Sequence, residues 1–364
     1  MKLYRKILAL GLAASMLGLT ACSSSIKETE AETEAAAETE AEAETEAETE
    51  EAEETEAEAE ADTEAASDGE KYLIGICQQM QHTALDSATQ GFKDAVIEGL
   101  GEANVEFDEQ NANGDAATAT TICTNFVSED VDLILANATA SIQAASAATG
   151  DIPILGTSIT DYGVALDIDG FDGVVGGNIS GTSDCAPLDE QAVMVQEIFP
   201  DAQNVGILYC SAEPNSKFQA DTVQAALEEA GLTVNIYTFS DSNDLASVTT
   251  EACSASDVIY IPTDNTAASY TETINNVALP AGVPIIAGEE GIMSGCGVAT
   301  LSISYYNIGH VTGEMAVEIL KDGADISTME VRYDDAPVKK YNPVICEELG
   351  VTIPDGYEAA EIAE

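Results

Sequence analysis

From Lys71 onward, short apolar runs alternate with longer segments of helical period, and this alternation leaves few folds open. The runs are Leu73–Cys77, Val105–Asp108, Leu133–Ala136, Pro153–Gly156, Val205–Cys210, Thr233–Phe239, Val258–Ile261 and Pro284–Ala287. They are rich in Ile, Val, Leu and Tyr and read as parallel strands buried on both faces. Between them, Ala84–Leu100, Ala116–Ser128, Leu188–Phe199 and Ser216–Ala230 carry helical patterns. Gly101 and Gly231 stand where a helix C-terminal cap belongs. The alternation predicts an α/β protein with doubly wound parallel sheets, and two sets of four strands predict two similar lobes.

The stretch from Ser158 to Pro187 is rich in Gly, Asp and Ser and reads as a crossover between the lobes. A strand-like Val298–Ile303, a helix near Tyr305–Lys321 and a partly β-like Glu330–Tyr341 follow. These late elements are expected to return to the first lobe and cross again, forming a multi-strand hinge. The expected division is residues 71–182 plus 303–328 for one lobe, and 183–302 plus 329–364 for the other.

In open parallel sheets, ligands bind beyond the carboxyl ends of the strands. Here those ends are polar. Gln78 to His82 follow the first run, Asn137 and Thr139 the third, and Thr157, Ser158, Thr160 and Asp161 the fourth. In the second set, Glu213, Asn215 and Ser216 follow Cys210; Asp264, Asn265 and Thr266 follow Ile261; and Glu289 follows Ala287. Hydroxyls and amides at helix N-termini suit a carboxylate, because free backbone N–H groups point there. Asp264 and Glu289 suit an ammonium. The same residue types are also ordinary helix caps, so only their convergence in two lobes argues for a zwitterion-binding cleft.

The N-terminus sets a cellular address. Met1 to Lys6 carries three cations, and Ile7 to Leu19 is almost wholly apolar, too short for a membrane span and suited to a signal peptide. Leu19-Thr20-Ala21-Cys22 resembles the bacterial lipobox, so residues 1–21 are expected to be cleaved and Cys22 lipidated, anchoring the protein outside the cytoplasm. Glu28 to Glu70 holds 21 acids and no Lys or Arg, mostly in Glu-Thr-Glu-Ala and Glu-Ala-Glu-Ala repeats. With like charges and no apolar face, residues 22–70 are expected to form an acidic, disordered tether. The remaining 294 residues still carry 46 acids against 7 bases. That balance excludes nucleic acid as a partner, since phosphates need cationic surface.

Several of these segments together resemble a family. Ile74-Gly75-Ile76-Cys77-Gln78, His82, Ala84-Leu85-Asp86 and Gly91-Phe92 look like the opening of the substrate-binding lipoproteins of ABC transporters, in their tryptophan/tyrosine-type group. Gly181-Thr182-Ser183-Asp184 with Pro187 and Gln191, Asn215-Ser216, Tyr260 to Thr266, Gly288-Glu289 and Thr312 to Ala316 continue the likeness to about Pro354. It implies a type I periplasmic-binding-protein fold, with two Rossmann-like lobes, three hinge crossings and a ligand enclosed between them. It also implies an aromatic amino acid as ligand and ABC permease subunits as partners. Carried over by position, Gln78, His82, Ser183, Asp184, Asn215, Asp264, Asn265 and Glu289 fall in the cleft, and Tyr306 would stack on a ring. The chain departs from the pattern at Thr83, where relatives often have Pro, and at Ser304, where they often have Asp.

No catalytic constellation stands out, so an enzyme is not expected. There is no G-x-S-x-G elbow, P-loop or G-x-G-x-x-G after a strand, and neither His82 nor His310 belongs to a cluster with zinc spacing. No cofactor or metal is expected. A ligand sensor signalling to a membrane receptor is the alternative to transport. Seven cysteines besides Cys22 cannot all pair internally, and unpaired thiols on an exported protein suit an anoxic habitat.

Overall fold

The computed structural model describes residues 71–334 and 336–362. The leader, Cys22 and the acidic repeats therefore lie outside the described residues.

The first sheet collects β1 (Tyr72–Gln78), β2 (Val105–Asn111), β3 (Leu133–Asn137), β4 (Ile154–Ile159), β5 (Ile179–Ser183) and β11 (Arg332–Tyr333). Their order is β11-β5-β4-β3-β1-β2, all parallel. The second sheet collects β6 (Asn204–Cys210), β7 (Thr233–Phe239), β8 (Val258–Ile261), β9 (Ile285–Ala287), β10 (Ala299–Ser302), β12 (Val338–Tyr341) and β13 (Glu358–Ala359). Its order is β13-β12-β10-β9-β8-β6-β7, with only β10 and β12 antiparallel. The expected strands all form. All five residues of β3 and all four of β8 are buried, as parallel strands covered on both faces must be.

Helices α1 (Thr83–Leu100), α2 (Ala116–Ser128), α3 (Thr139–Ala148) and α4 (Tyr162–Leu166) connect the first sheet. Helices α5 (Leu188–Ile198), α6 (Pro214–Glu229), α7 (Ser242–Ala255), α8 (Asn265–Ser269), α9 (Thr271–Ala281) and α10 (Glu290–Cys296) connect the second. α11 (Tyr305–Leu320) follows β10 in sequence but packs on α1, β4 and β5, and α12 (Pro343–Leu349) follows β12. The chain thus crosses between the sheets three times: after Ser183, after Ser302 and after Tyr333.

Two expectations are corrected. The stretch between Ser158 and Pro187 is not only a crossover, because it contains β5, a full member of the first sheet. Its sequence, Ile-Ser-Gly-Thr-Ser, has one aliphatic residue and no apolar run. Gly181 is required there: at φ 145° a Cβ would lie 2.0 Å from the Gly156 carbonyl oxygen. The lobe boundaries at 182 and 328 also shift, since Arg332 and Tyr333 pair with Thr182 and Ser183 in the first sheet. A two-residue strand has no periodicity to read.

α11 is locked to α1 by close backbone approach. A Cβ on Gly309 would lie 2.0 Å from the Ala88 carbonyl oxygen, and one on Gly91 2.1 Å from that of Tyr306. Neither backbone can yield as a side chain would. Gly309→Val should cost about 1–3 kcal/mol through overpacking, read as a lower urea midpoint with an unchanged slope. A midpoint equal to that of the parent protein would mean that the two helices can separate freely. The seven cysteines among the described residues are all free thiols, five of them, Cys77, Cys123, Cys210, Cys296 and Cys346, being small core residues within the strands and helices.

Candidate functional site

The strand order reverses at β1/β3 in one sheet and at β6/β8 in the other, and these switch points place the polar strand ends opposite one another. Gln78 and Asn137 are direct register partners at the ends of β1 and β3. Both are buried, and they form a supporting network rather than a cavity wall. Gln78 Nε2 donates to Asp86 Oδ1 (2.7 Å), Thr89 Oγ1 donates to Gln78 Oε1 (2.6 Å), and Asn137 Nδ2 donates to the Leu85 carbonyl (2.9 Å) and to Thr89 Oγ1 (3.0 Å). This network ties the first turns of α1 to the sheet and so fixes His82, the residue that opens the helix.

In the second lobe, buried Glu213 has the corresponding role. It accepts from the backbone N–H and side-chain amide of Asn265 (2.9 and 2.8 Å) and from the backbone N–H and hydroxyl of Thr266 (both 2.8 Å). With its amide nitrogen held by Glu213, Asn265 presents Oδ1 to His82 Nε2 at 3.1 Å across the two lobes. Nε2 therefore carries the proton. Burial holds the His82 ring below its ordinary pKa, partly offset by the Asn265 bond, so Nδ1 is a bare acceptor.

Residues of both lobes enclose one cavity, among them His82, Leu85, Ser158, Thr160 and Asp184 on one side and Asn215, Thr263, Asn265 and Ala268 on the other. It measures about 10 Å³, near the room one water needs. Four enclosed polar atoms on these residues lack a partner: His82 Nδ1, Ser158 Oγ, Asp184 Oδ1 and Asn215 Oδ1. Asn215 Nδ2 donates to the Thr263 carbonyl (3.1 Å), which leaves its oxygen as the free end. Tyr305 OH donates to Asp184 Oδ2 (2.9 Å), which leaves Oδ1. Three free acceptors match the three N–H bonds of a primary ammonium, and the fourth group is a hydroxyl able to donate. Ser158 also sits at φ 57°, a left-handed conformation rare for serine, where the β4–β5 register shifts. Strain of this kind persists where the surroundings hold it, and here it faces the cavity.

Of the residues expected from sequence, His82, Ser158, Asp184, Asn215, Asp264, Asn265 and Glu289 line this cavity. Asp264 and Glu289 have their oxygens occupied. Asp264 accepts from the N–H groups of Cys210 (2.7 Å) and Ala267 (2.8 Å), and Glu289 accepts from those of Gly291 and Ile292. They shape the wall as caps. Gln78, Asn137, Thr157, Asp161, Ser183 and Thr266 stand behind it: Thr157 bonds Thr182, Asp161 caps α4, Ser183 bonds the Thr160 carbonyl, and Thr266 bonds Glu213. Tyr306 does not line this cavity. It is 41% exposed, donates to Asp94 and borders a larger space beside the hinge, whereas its neighbour Tyr305 is 7% exposed and lines the cavity. Adjacent helical residues point roughly 100° apart. Tyr305 lies three and four residues before buried Ile308 and Gly309, a spacing that could have marked it as the inward one.

Two enclosed lobes, three crossings and a polar cavity at the strand ends define a type I periplasmic-binding-protein fold. The sequence matches the family described as "ABC transporter substrate binding protein" over residues 73–361, and the chain belongs to that family, whose role is binding rather than catalysis. A curated relative, "Tyrosine-binding protein" of Clostridioides difficile (strain R20291), is 37% identical over 250 residues, which span 68% of this chain and 72% of that protein. The ABC domain from Streptococcus pneumonia solved in complex with L-Trp is 32% identical with a TM-score of 0.75, covering 78% of this chain and 96% of that one. The ligand-free, open structure of a substrate binding protein with adhesive properties from Clostridium difficile is 34% identical with a TM-score of 0.62, covering 80% of this chain and all of that one. The better superposition on the ligand-bound relative agrees with closed lobes here.

Charge around this cavity is one-sided. Asp184, Glu213, Asp264 and Glu289 are all buried, and no Lys or Arg is among the lining residues. Burial raises the pKa of Asp184, although the Tyr305 bond opposes it. Burial also raises Asp264, with repulsion from Glu213 adding to it, and pushes Glu289 up to about 7 against the pull of its N–H partners. A carboxyl with a raised folded-state pKa binds more protons folded than unfolded, so stability falls as pH rises through the interval. Ordinary surface carboxylates, near pKa 4, are already charged above about pH 6. The ligand-free protein should therefore lose thermal stability between about pH 6 and 8, and Glu289→Gln should flatten part of that slope. A flat profile for the parent protein would place these carboxyls at ordinary values.

Proposed function

We propose that this protein is the extracytoplasmic binding component of an ABC importer and captures an aromatic α-amino acid by closure of its lobes. The observation that carries the reading is the convergence of four unpartnered polar atoms from both lobes on one cavity. An α-ammonium supplies three donors to His82 Nδ1, Asp184 Oδ1 and Asn215 Oδ1. The ligand carboxylate accepts from the Ser158 hydroxyl. The full set exists only when Asn215 of the second lobe meets the other three groups, so the ligand biases the closed state by its differential affinity for it. The aromatic side chain is inferred from the tyrosine-binding relative and the L-Trp complex. Transfer to a permease follows from the family. Export and lipidation rest on the leader and on Cys22, with the acidic repeats as the spacer between membrane and lobes.

A calorimetric screen of the full chain against amino acids, sugars and nucleosides tests the ligand class. The chain has no Trp, so bound L-Trp would be the only indole emitter, a second readout free of protein background. L-Trp or L-Tyr should raise apparent stability by about 2.7 kcal/mol at a hundredfold excess over Kd. Asp184→Asn should weaken binding of either by roughly tenfold or more while the circular dichroism spectrum is kept. If sugars bind and amino acids do not, the reading is wrong. Cys22→Ser should move the protein from the membrane to the soluble fraction; continued membrane retention would remove the lipid anchor.

A further inference from the structure

The same two helix N-termini that bound the polar cavity also bound a second, larger space. His82 and Leu85 face the cavity, while Thr83, Ala84 and Ser87 of the same turns face a chamber of about 630 Å³. On the opposite lobe, Glu289 borders both, and Glu290, Gly291 and Ser294 continue into the chamber. Its floor is formed by hinge residues, Ser302, Ile303, Ser304, Asp334, Ala336 and Val338. Tyr305 borders both spaces and forms the partition between them. The two are consecutive parts of one cleft between the lobes.

The cavity has room for about one water, whereas ligand pockets usually measure 300–1,000 Å³. The chamber falls within that range. Its wall offers apolar surface at Ala84, Ile303, Tyr305 and Val338. Its charged groups are Glu289, Glu290, Asp334 and Glu361 against the single cation Lys340, which is paired with Glu290 at 2.6 Å. A second carboxylate would enter a negative field. A neutral ring would be admitted at an apolar wall.

Resting on the amino-acid reading above, we propose that the unpartnered atoms of the polar cavity anchor the ligand's charged head group, that the cavity admits none of its side chain, and that the side chain extends past Tyr305 into the hinge-side chamber. Ser87, Ser294 and Tyr305 are then the residues that set side-chain specificity. Large neutral side chains are accepted, and acidic ones are excluded by the chamber carboxylates. Because the chamber floor is hinge, the side chain meets both lobes and two of the crossings, so its size also sets how far the lobes close.

The test uses the full chain with L-Trp, L-Tyr, L-Glu and the photoreactive analogue 4-azido-L-phenylalanine. Irradiation of the analogue complex should label residues 290–294 or 302–307, read by peptide mapping, and the label should be lost on competition with L-Trp. Ser294→Trp, and independently Ser87→Trp, should weaken L-Trp binding about tenfold or more by filling the chamber. L-Glu should not compete. Label confined to residues 158–160, 215 or 263–268 would overturn the chamber assignment while leaving the amino-acid reading intact, as would unchanged L-Trp affinity in both filled variants. Absence of binding by every amino acid, with another ligand class bound, would remove the amino-acid reading and this inference together.

Discussion

Closing the two lobes brings carboxylates together without bringing a cation. Asp184, Glu213, Asp264 and Glu289 are buried around one small cavity, with a neutral His82 beside them. Buried negative charge is costly unless it is bonded or neutralised. Glu213, Asp264 and Glu289 are met by backbone N–H groups at helix starts. Asp184 is met on one oxygen only, by a tyrosine hydroxyl. The closed arrangement therefore has one place left for a positive group. The surrounding architecture serves that condition, because switch-point strand ends, capped helices and the Gln78–Thr89–Asn137 network all fix donors and acceptors around it.

Much of the fold was legible in the sequence because buried parallel strands must be continuously apolar. Leu133–Ala136 and Val258–Ile261 could hardly be anything else. β5 was not legible, because its packing depends on small residues: Gly181 lies against Gly156 and Thr182 bonds Thr157 and Thr312. β11 was not legible, because two residues carry no pattern.

The site was legible as a region and less so as a set of roles. Polar residues after buried strands located both walls of the cavity. Sequence could not tell that Asp264 and Glu289 spend their oxygens on helix N-termini while Asp184 keeps one free, since all three are acids after a strand. That distinction comes from which backbone N–H groups lie nearby. Glu213 was visible at a strand end, but its control of Asn265, and through Asn265 of the His82 tautomer, needed coordinates. Tyr305 and Tyr306 differ by one position and about 100° around the helix, enough to bury one against Asp184 and leave the other half-exposed beside Asp94.

The glycine contact between α1 and α11 has a mechanical side. His82 begins α1 and Tyr305 begins α11, and the clamp at Gly91 and Gly309 makes the two helices one rigid jaw. Asp184 stands at the first crossing, beside the axis of any rotation between the lobes. The His82–Asn265 bond and the bond from the Ser269 hydroxyl to the Gln81 carbonyl span the lobes away from that crossing. A rigid arm turning about an axis moves least at its fulcrum and most at its tip. Opening should therefore unfasten the rim bonds first and move the groups around Asp184 least and last, so that a departing ligand is freed from one end, like a page turned from its outer edge.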